Sequence, residues 1–481
     1  MVNISKRTIE IKENPLDFIP ESSIKWIWGS DVEVFPNFFY VAFENYRTNE
    51  KVEFEISDRK NEIIEFVQFY KTKLIENIAI YFNGKHYDEV IIAKLLNLYN
   101  NGEVNARVVC YELYDLSNNI INVWEDQHWR IPEIKDLKRP YWLLIDPVLH
   151  WTRSLRITKN LSLKSLGIQL EYPVVQELPY DPHETLSDKQ KDDVILYCKI
   201  HDLNILKCIV NHKKKDFKDR WEVSKKIGKN LMSANSAKLI KSELQKRLTD
   251  VLGHSRFTND QTLYPLGIKL DTIIDKKIEI NRINPGNGRY MKKLGDLDAK
   301  CDVYEDLADV FEYYKKQHVY DTGEVRVGAN IKNPDGTHLH CIFASGGAHG
   351  IVDTSIIRPA EDEELMDYDI ASMYPTWIIN YNAFPKHLGN AIKSIYLDYM
   401  NSRLKAKANL KKGIDVEKNQ FISDWYKLIL NTFYGLLLES YGWIYDLGAG
   451  LTVTINGQLA IAELAQNLLA AGINVVYINT M

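Results

Sequence analysis

The sequence predicts an α/β protein, and two stretches of the chain carry that prediction. Runs of β-branched and aromatic residues at 26–43 and 78–82 end in turn residues and read as strands, with a further strand near 145; residues 188–210 have a helical period and close this first α/β domain near residue 215. From Glu364 a second pattern begins. It reads as a strand through Asp369, a turn, helices over about 396–412 and 421–438, then a helix and a strand over 473–478.

Between these halves, Lys213, Lys214, Lys215, Lys218, Arg220, Lys225 and Lys226 lead into a helical pattern through Leu248, either a solvated face or a phosphate-contacting one. Residues 253–340 are punctuated by Gly and Asn and offer no elements that can be placed. With 481 residues and 45% hydrophobic content, the chain can bury cores for two to four domains. Its net charge of −5 excludes a global basic signature, so any polyanion must be met by local clusters. Cys110, Cys198, Cys208, Cys301 and Cys341 lack zinc-like spacing and read as small buried hydrophobes, reduced in a cytosol. Residues 1–7 have no apolar leader, and the late apolar run is broken by Glu463, Gln466 and Asn467, so neither a targeting signal nor a membrane span is expected.

Asp31 and Glu33 sit two apart on one strand, so both side chains leave the same face. Asp88 follows the next strand, in Asn83-Gly-Lys-His-Tyr-Asp88, and Asp202 lies on the late helix. Four carboxylates on separate elements of one domain suit two divalent cations acting on a phosphodiester. These residues resemble the three exonuclease motifs of family B DNA polymerases, and Ser162-Leu-Lys164-Ser-Leu resembles that family's lysine segment. The resemblance implies a ribonuclease H-like 3′→5′ exonuclease with Asp31, Glu33, Asp88 and Asp202 on the metals, and Asn83 and Lys164 on DNA. The family places a tyrosine four residues before the last Asp, but here Tyr197 precedes Asp202 by five and Cys198 holds the usual place. At about 100° per residue, five residues leave the two side chains about 140° apart; a π-bulge would realign them. Tyr197 is then either the residue that orients the attacking water or a core tyrosine.

Asp369-Ile-Ala-Ser372-Met-Tyr374-Pro resembles motif A of the same family, and Lys427-Leu-Ile-Leu-Asn431-Thr-Phe-Tyr434-Gly435 resembles motif B. A strand-end carboxylate suits Mg²⁺, and the turn after it offers N–H groups to a triphosphate. The resemblance implies that Tyr374 excludes a 2′-hydroxyl, so the substrate is a dNTP. Arg403, Lys407 and Lys411 recur at i, i+4, i+8 on one helix face, and the resemblance to two antiparallel finger helices implies that Arg403, Lys407 and Lys427 meet the phosphates, with Asn431 and Tyr434 at the nascent base pair. Ser345-Gly346-Gly347 resembles a phage Gly-Gly element facing the template.

The strand that ends in Asn479-Thr480-Met481 resembles motif C, with Met481 where the second carboxylate belongs. Three explanations stay open: a split gene whose second polypeptide supplies that carboxylate and the thumb, an interrupted product, or a stand-alone exonuclease. The expected organisation is an exonuclease domain over 1–215, a connecting region over 216–345, palm over 346–392, fingers over 393–438 and a second palm part over 439–481, with no thumb. Implied cofactors are two Mg²⁺ per active site, with Mn²⁺ as the alternative. Implied partners are primer-template, single-stranded 3′ ends and dNTPs, and the implied location is the cytoplasm, a host's cytosol for a phage protein.

Overall fold

The computed structural model describes residues 11–84, 86–122, 162–258, 267–283, 301–320, 325–353, 357–370 and 372–480, and the backbone alone of the strand residues 143–145, 290–294 and 297–300. The expectations placed on residues 1–7 and on Met481 lie outside these. The chain forms two compact units, Met1–Asn235 and Ser236–Met481.

In the first unit, β1 (Ile27–Phe35), β2 (Phe38–Asn45) and β3 (Lys51–Ser57) make an antiparallel meander, and β4 (Ile78–Ile80) and β5 (Leu143–Ile145) extend it in parallel, giving the order β3-β2-β1-β4-β5. The single run predicted over 26–43 is thus two strands, because Pro36 and Asn37 turn the chain and pair Phe35 with Phe38. Successive residues of β1 feed opposite faces. Trp28, Val32 and Val34 enter a core with Phe43, Phe54, Phe66 and Leu113, beneath α1 (Ile63–Phe69), α2 (Asp88–Asn100) and α3 (Ala106–Asn122). Ile27 enters the opposite core with Leu206, Phe217 and Trp221, formed by α4 (Leu163–Gln169), α6 (Leu203–His212) and α7 (Lys214–Ile227). Asp31 and Glu33 therefore belong to the second of these faces.

The helix predicted over 188–210 forms, but not as one regular coil. Ser187 and Gln190 close a capping box that starts α5 (Asp188–Tyr197), a π turn occupies Cys198–Asp202, and α6 resumes at Leu203. The domain end expected at 215 moves to 235, because Phe217, Trp221 and Met232 complete the core around Ile27 and Ile78. Lys215, Lys218, Lys225 and Lys226 point to solvent on the far side of α7.

The second unit holds a six-stranded sheet, β13-β12-β11-β10-β8-β7, made of β7 (Tyr290–Leu294), β8 (Leu297–Tyr304), β10 (Arg326–Lys332), β11 (His338–Ala344), β12 (Gly347–Val352) and β13 (Tyr477–Asn479). A two-stranded piece joins β6 (Ile268–Lys269) to β9 (His318–Val319). Its helices are α8 (Ser236–Leu252), α9 (Leu307–Lys316), α10 (Met373–Asn380), α11 (Gly389–Lys411), α12 (Val416–Leu437) and α13 (Leu447–Ala470). The sheet corrects the expected connecting region over 216–345: β7, β8, β10 and β11 share one sheet with β12 and β13, and β10 and β11 share a core with β12 and β13. Leu451, Ile455, Leu459 and Ala462 of α13 pack on Val327, Leu339 and Phe343 of that sheet. Gln458 Nε2 donates to the Ala344 carbonyl at 2.7 Å, and Gln466 Nε2 to Asp306 Oδ1 at 2.8 Å, so these two polar residues of α13 are buried and paired, while Asn467 is exposed.

A second correction concerns residues 364–369, which form no strand. Leu365, Met366, Tyr368 and Ile370 are exposed, and the segment joins no sheet, so its alternating pattern lacks the neighbouring ladder that would hold it extended. Among the described residues, no helix is long and apolar enough to cross a membrane.

Candidate functional site

In the first unit, β1 brings Asp31 and Glu33 to the π turn. Cys198 Sγ donates to Asp31 Oδ2 at 3.2 Å, and Tyr197 Oη lies 3.2 Å from Asp202 Oδ1 and 3.3 Å from the Gln176 carbonyl. The π turn is the geometry that the five-residue spacing requires, since the wider turn adds one residue without rotating Tyr197 away from Asp202. Lys164, carried by the capped helix α4, places Nζ 3.4 Å from Asp202 Oδ2 and 5.3 Å from the centre of the Tyr197 ring. Asp88 is buried at the first position of α2, and its charge is felt at Glu33. Asn83 precedes that helix in a left-handed conformation, with φ of 57°.

The electrostatics show how strongly these carboxylates act on one another. Burial first, and then the charge of Asp202, push Asp31 up to about 7. Burial, then Asp31 and Asp202, raise Glu33 well above the carboxylate range, and burial raises Asp202 as well. Burial works against the charge on Lys164, but Asp202, Glu33 and Asp31 together outweigh it and raise its pKa. One lysine thus faces several buried carboxylates that resist ionising together, a donor set that fits divalent cations. Among the described residues, Asp31, Glu33 and Cys198 are the group whose ligand atoms all lie within 4.8 Å of one another. The sequence reading left Cys198 out; its position four residues before Asp202, where the family pattern has a tyrosine, was the signal.

In the second unit, Arg403 Nη1 donates to Ser372 Oγ at 2.7 Å, and Tyr374 meets Tyr434 with ring centres 4.4 Å apart. Ser372 begins α10 in a left-handed conformation at φ 55°, a cost of roughly 1–2 kcal/mol for a residue with a Cβ. Arg403 is 7% exposed, its buried Nε has no hydrogen-bond partner among the described residues, and burial lowers its pKa. Tyr374 is held from behind by Trp377 and by the bare Gly457 backbone of α13, and burial pushes its phenol up to about 12. Lys427 and Asn431 stand exposed on α12, and Lys407 and Lys411 on α11, so of the three cations spaced i, i+4, i+8 only Arg403 turns inward. Gly346 and Gly435 both have open space where a Cβ would stand, while Gly347 is buried at the start of β12. Asp369 is exposed and belongs to no group of three or more potential metal ligands among the described residues.

No protein-family model and no curated protein matches the chain. Among solved structures, the chain is similar to the family B DNA polymerase from the hyperthermophilic archaeon Pyrobaculum calidifontis, at 12% identity and a TM-score of 0.49, over 95% of this chain and 52% of that one; it spans about half the length of that structure.

Proposed function

We propose that this chain is the exonuclease, palm and fingers portion of a phage-type family B DNA-dependent DNA polymerase. The observation that carries the reading is the convergence of Asp31, Glu33, Tyr197, Asp202 and Lys164 in one buried site of an α/β unit whose sheet runs β3-β2-β1-β4-β5. In this reading the first unit is a ribonuclease H-like 3′→5′ exonuclease acting on single-stranded DNA ends. Asp31, Glu33, Asp88 and Asp202 hold two Mg²⁺, or Mn²⁺, which when bound supply a water of lowered pKa and charge compensation at the phosphodiester. Tyr197 fixes the Asp202 carboxylate and orients the attacking water, Lys164 tempers the negative charge, and Asn83 and Lys164 touch the DNA.

The second unit would take the dNTP. Arg403 fixes Ser372 and brings a guanidinium to the triphosphate, with Lys407 and Lys427 adding charge there. Tyr374, backed by Trp377, is too firmly held to yield to a 2′-hydroxyl, and Asn431 and Tyr434 flank the base. Gly346, Gly347 and Gly435 admit the DNA backbone, and Asp369 supplies one Mg²⁺ ligand. Synthesis needs a second carboxylate beside Asp369, which a second polypeptide would supply.

The test is degradation of 3′-labelled single-stranded DNA with Mg²⁺. Wild type degrades it and Asp31→Ala does not; equal activity in the variant rejects the site. Primer extension is measured with the chain alone and with the polypeptide encoded downstream. Extension only in the mixture supports the split enzyme, and nuclease activity without extension in either supports the stand-alone exonuclease.

A further inference from the structure

Cys198 is the side chain of the first-unit site for which the exonuclease reading has no task. It is fully buried, it opens the π turn, and its thiol donates to Asp31 at 3.2 Å. Together with one oxygen each of Asp31 and Glu33, its sulfur completes a triangle of donors no more than 4.8 Å apart. Glu33 is a second observation that points to a cation. It is 9% exposed and accepts no hydrogen bond among the described residues, although a desolvated carboxylate is costly unless something positive meets it. Lys164 is engaged 3.4 Å away at Asp202.

The donor types decide which cation this triangle favours. Mg²⁺ is hard, is bound through oxygen and keeps several waters, whereas Zn²⁺ and its softer relatives bind thiolate and carboxylate together. The π turn explains how one helix serves both ends of the site: the extra residue lets Tyr197 reach Asp202 while its neighbour Cys198 reaches Asp31.

We propose that Asp31, Glu33 and Cys198 form a mixed oxygen–sulfur site that binds a thiophilic divalent cation of the Zn²⁺ and Cd²⁺ class through the Cys198 sulfur. The inference rests on the reading of Asp31 and Glu33 as cation ligands and adds a third ligand to them. On binding, the S–H bond breaks, its proton leaves to solvent, and a sulfur–metal bond forms; no electron is transferred. A thiophilic ion at this place competes with the Mg²⁺ that the nuclease reading requires, so the triangle tunes metal preference.

The experiment titrates Cd²⁺ into the full chain and follows thiolate-to-metal charge-transfer absorption in the near ultraviolet, with Mn²⁺ binding followed separately by electron paramagnetic resonance. Wild type is expected to gain the Cd²⁺ band at stoichiometric metal. Cys198→Ser should lose the band and roughly tenfold or more in Cd²⁺ affinity, the scale on which even outer partners of a metal site count, while still binding Mn²⁺. A band that persists in Cys198→Ser, from any of the other four cysteines, overturns the proposal. So does a wild type with no band whose Mn²⁺ binding is nevertheless abolished by Asp31→Ala, a result that leaves the nuclease site standing. Mn²⁺ binding indifferent to Asp31→Ala overturns both. Should Cys198→Ser fail to fold, ¹¹³Cd magnetic resonance on the wild type answers the same question, since its shift separates sulfur ligation from all-oxygen ligation.

Discussion

Tyr197 and Cys198 are neighbours with different tasks because the helix widens just after them, and that widening sets two expectations at the scale of the residue. Tyr197→Phe removes the hydroxyl 3.2 Å from Asp202 and should slow Mg²⁺-dependent degradation roughly 10–100-fold with little change in thermal midpoint, as for other outer partners of metal ligands. The second expectation concerns pH. Asp31 rises from 3.8 to about 7 in the fold, so between those values the metal-free native state keeps a proton that the unfolded chain has lost. Stability from this group is therefore full below the lower value and lost as pH rises through the upper one. Chelator-treated protein should melt at progressively lower temperature across that window, Asp31→Asn should flatten the trend, and added Mg²⁺ should restore stability at the alkaline end by mass action. The pairing of Asp31 with Glu33 was legible in the sequence because strand alternation is local. The contact with Cys198 was not: its place four residues before Asp202 marked it for the site, but nothing there says which distant strand its thiol will face.

Helices of this chain were easier to read than strands. The finger-like pair formed close to its predicted span because its apolar period is internal; only its starts, Gly389 and Val416, lay outside the periodic run. The periodicity could not tell Arg403 from Lys407, since equal spacing says nothing of which cation a neighbour will bury. Strands β8 and β10 escaped because they pair in parallel across α9, with no tight turn to announce the register, whereas β10 and β11 are a hairpin whose turn over residues 333–337 carried a signal, Asn-Pro-Asp-Gly, that the sequence reading did not use. The segment around Asp369 failed the other way, with the alternation of a strand and no ladder. Within α12, Gly435 is a helical glycine with open space around it, so packing does not explain it. Gly435→Ala should stabilise the protein by about 0.5–1 kcal/mol, read as a higher denaturation midpoint, and should weaken binding to primer-template DNA measured by anisotropy. Unchanged DNA binding would reject the place given to this glycine in the proposed function.

For the whole molecule, the division at Asn235 gives each unit its own sheet and its own buried cores. The residues proposed for the nuclease all fall in the first unit, so a fragment of residues 1–235 should unfold cooperatively and degrade single-stranded DNA with Mg²⁺. A fragment ending at 215 should not, because it lacks the Phe217, Trp221 and Met232 that close the core around Ile27. Circular dichroism melts of the two fragments, with the nuclease assay beside them, check the boundary. The α/β class was legible because strand and helix runs alternate early in the chain, while the boundary was hidden because α7 shows solvent a lysine-rich face and keeps its aromatic residues on the other.

The bond between Cys198 and Asp31 spans 167 residues of chain, and that separation orders events in time. The β1–β3 meander can close soon after it is made, since its partners are neighbours in sequence. The helix bearing Tyr197, Cys198 and Asp202 must travel back across everything made in between, and a loop that long is slow to close. A nascent chain thus carries Asp31 and Glu33 as an idle pair through most of the unit's synthesis, and the proposed nuclease site is assembled only when that helix docks.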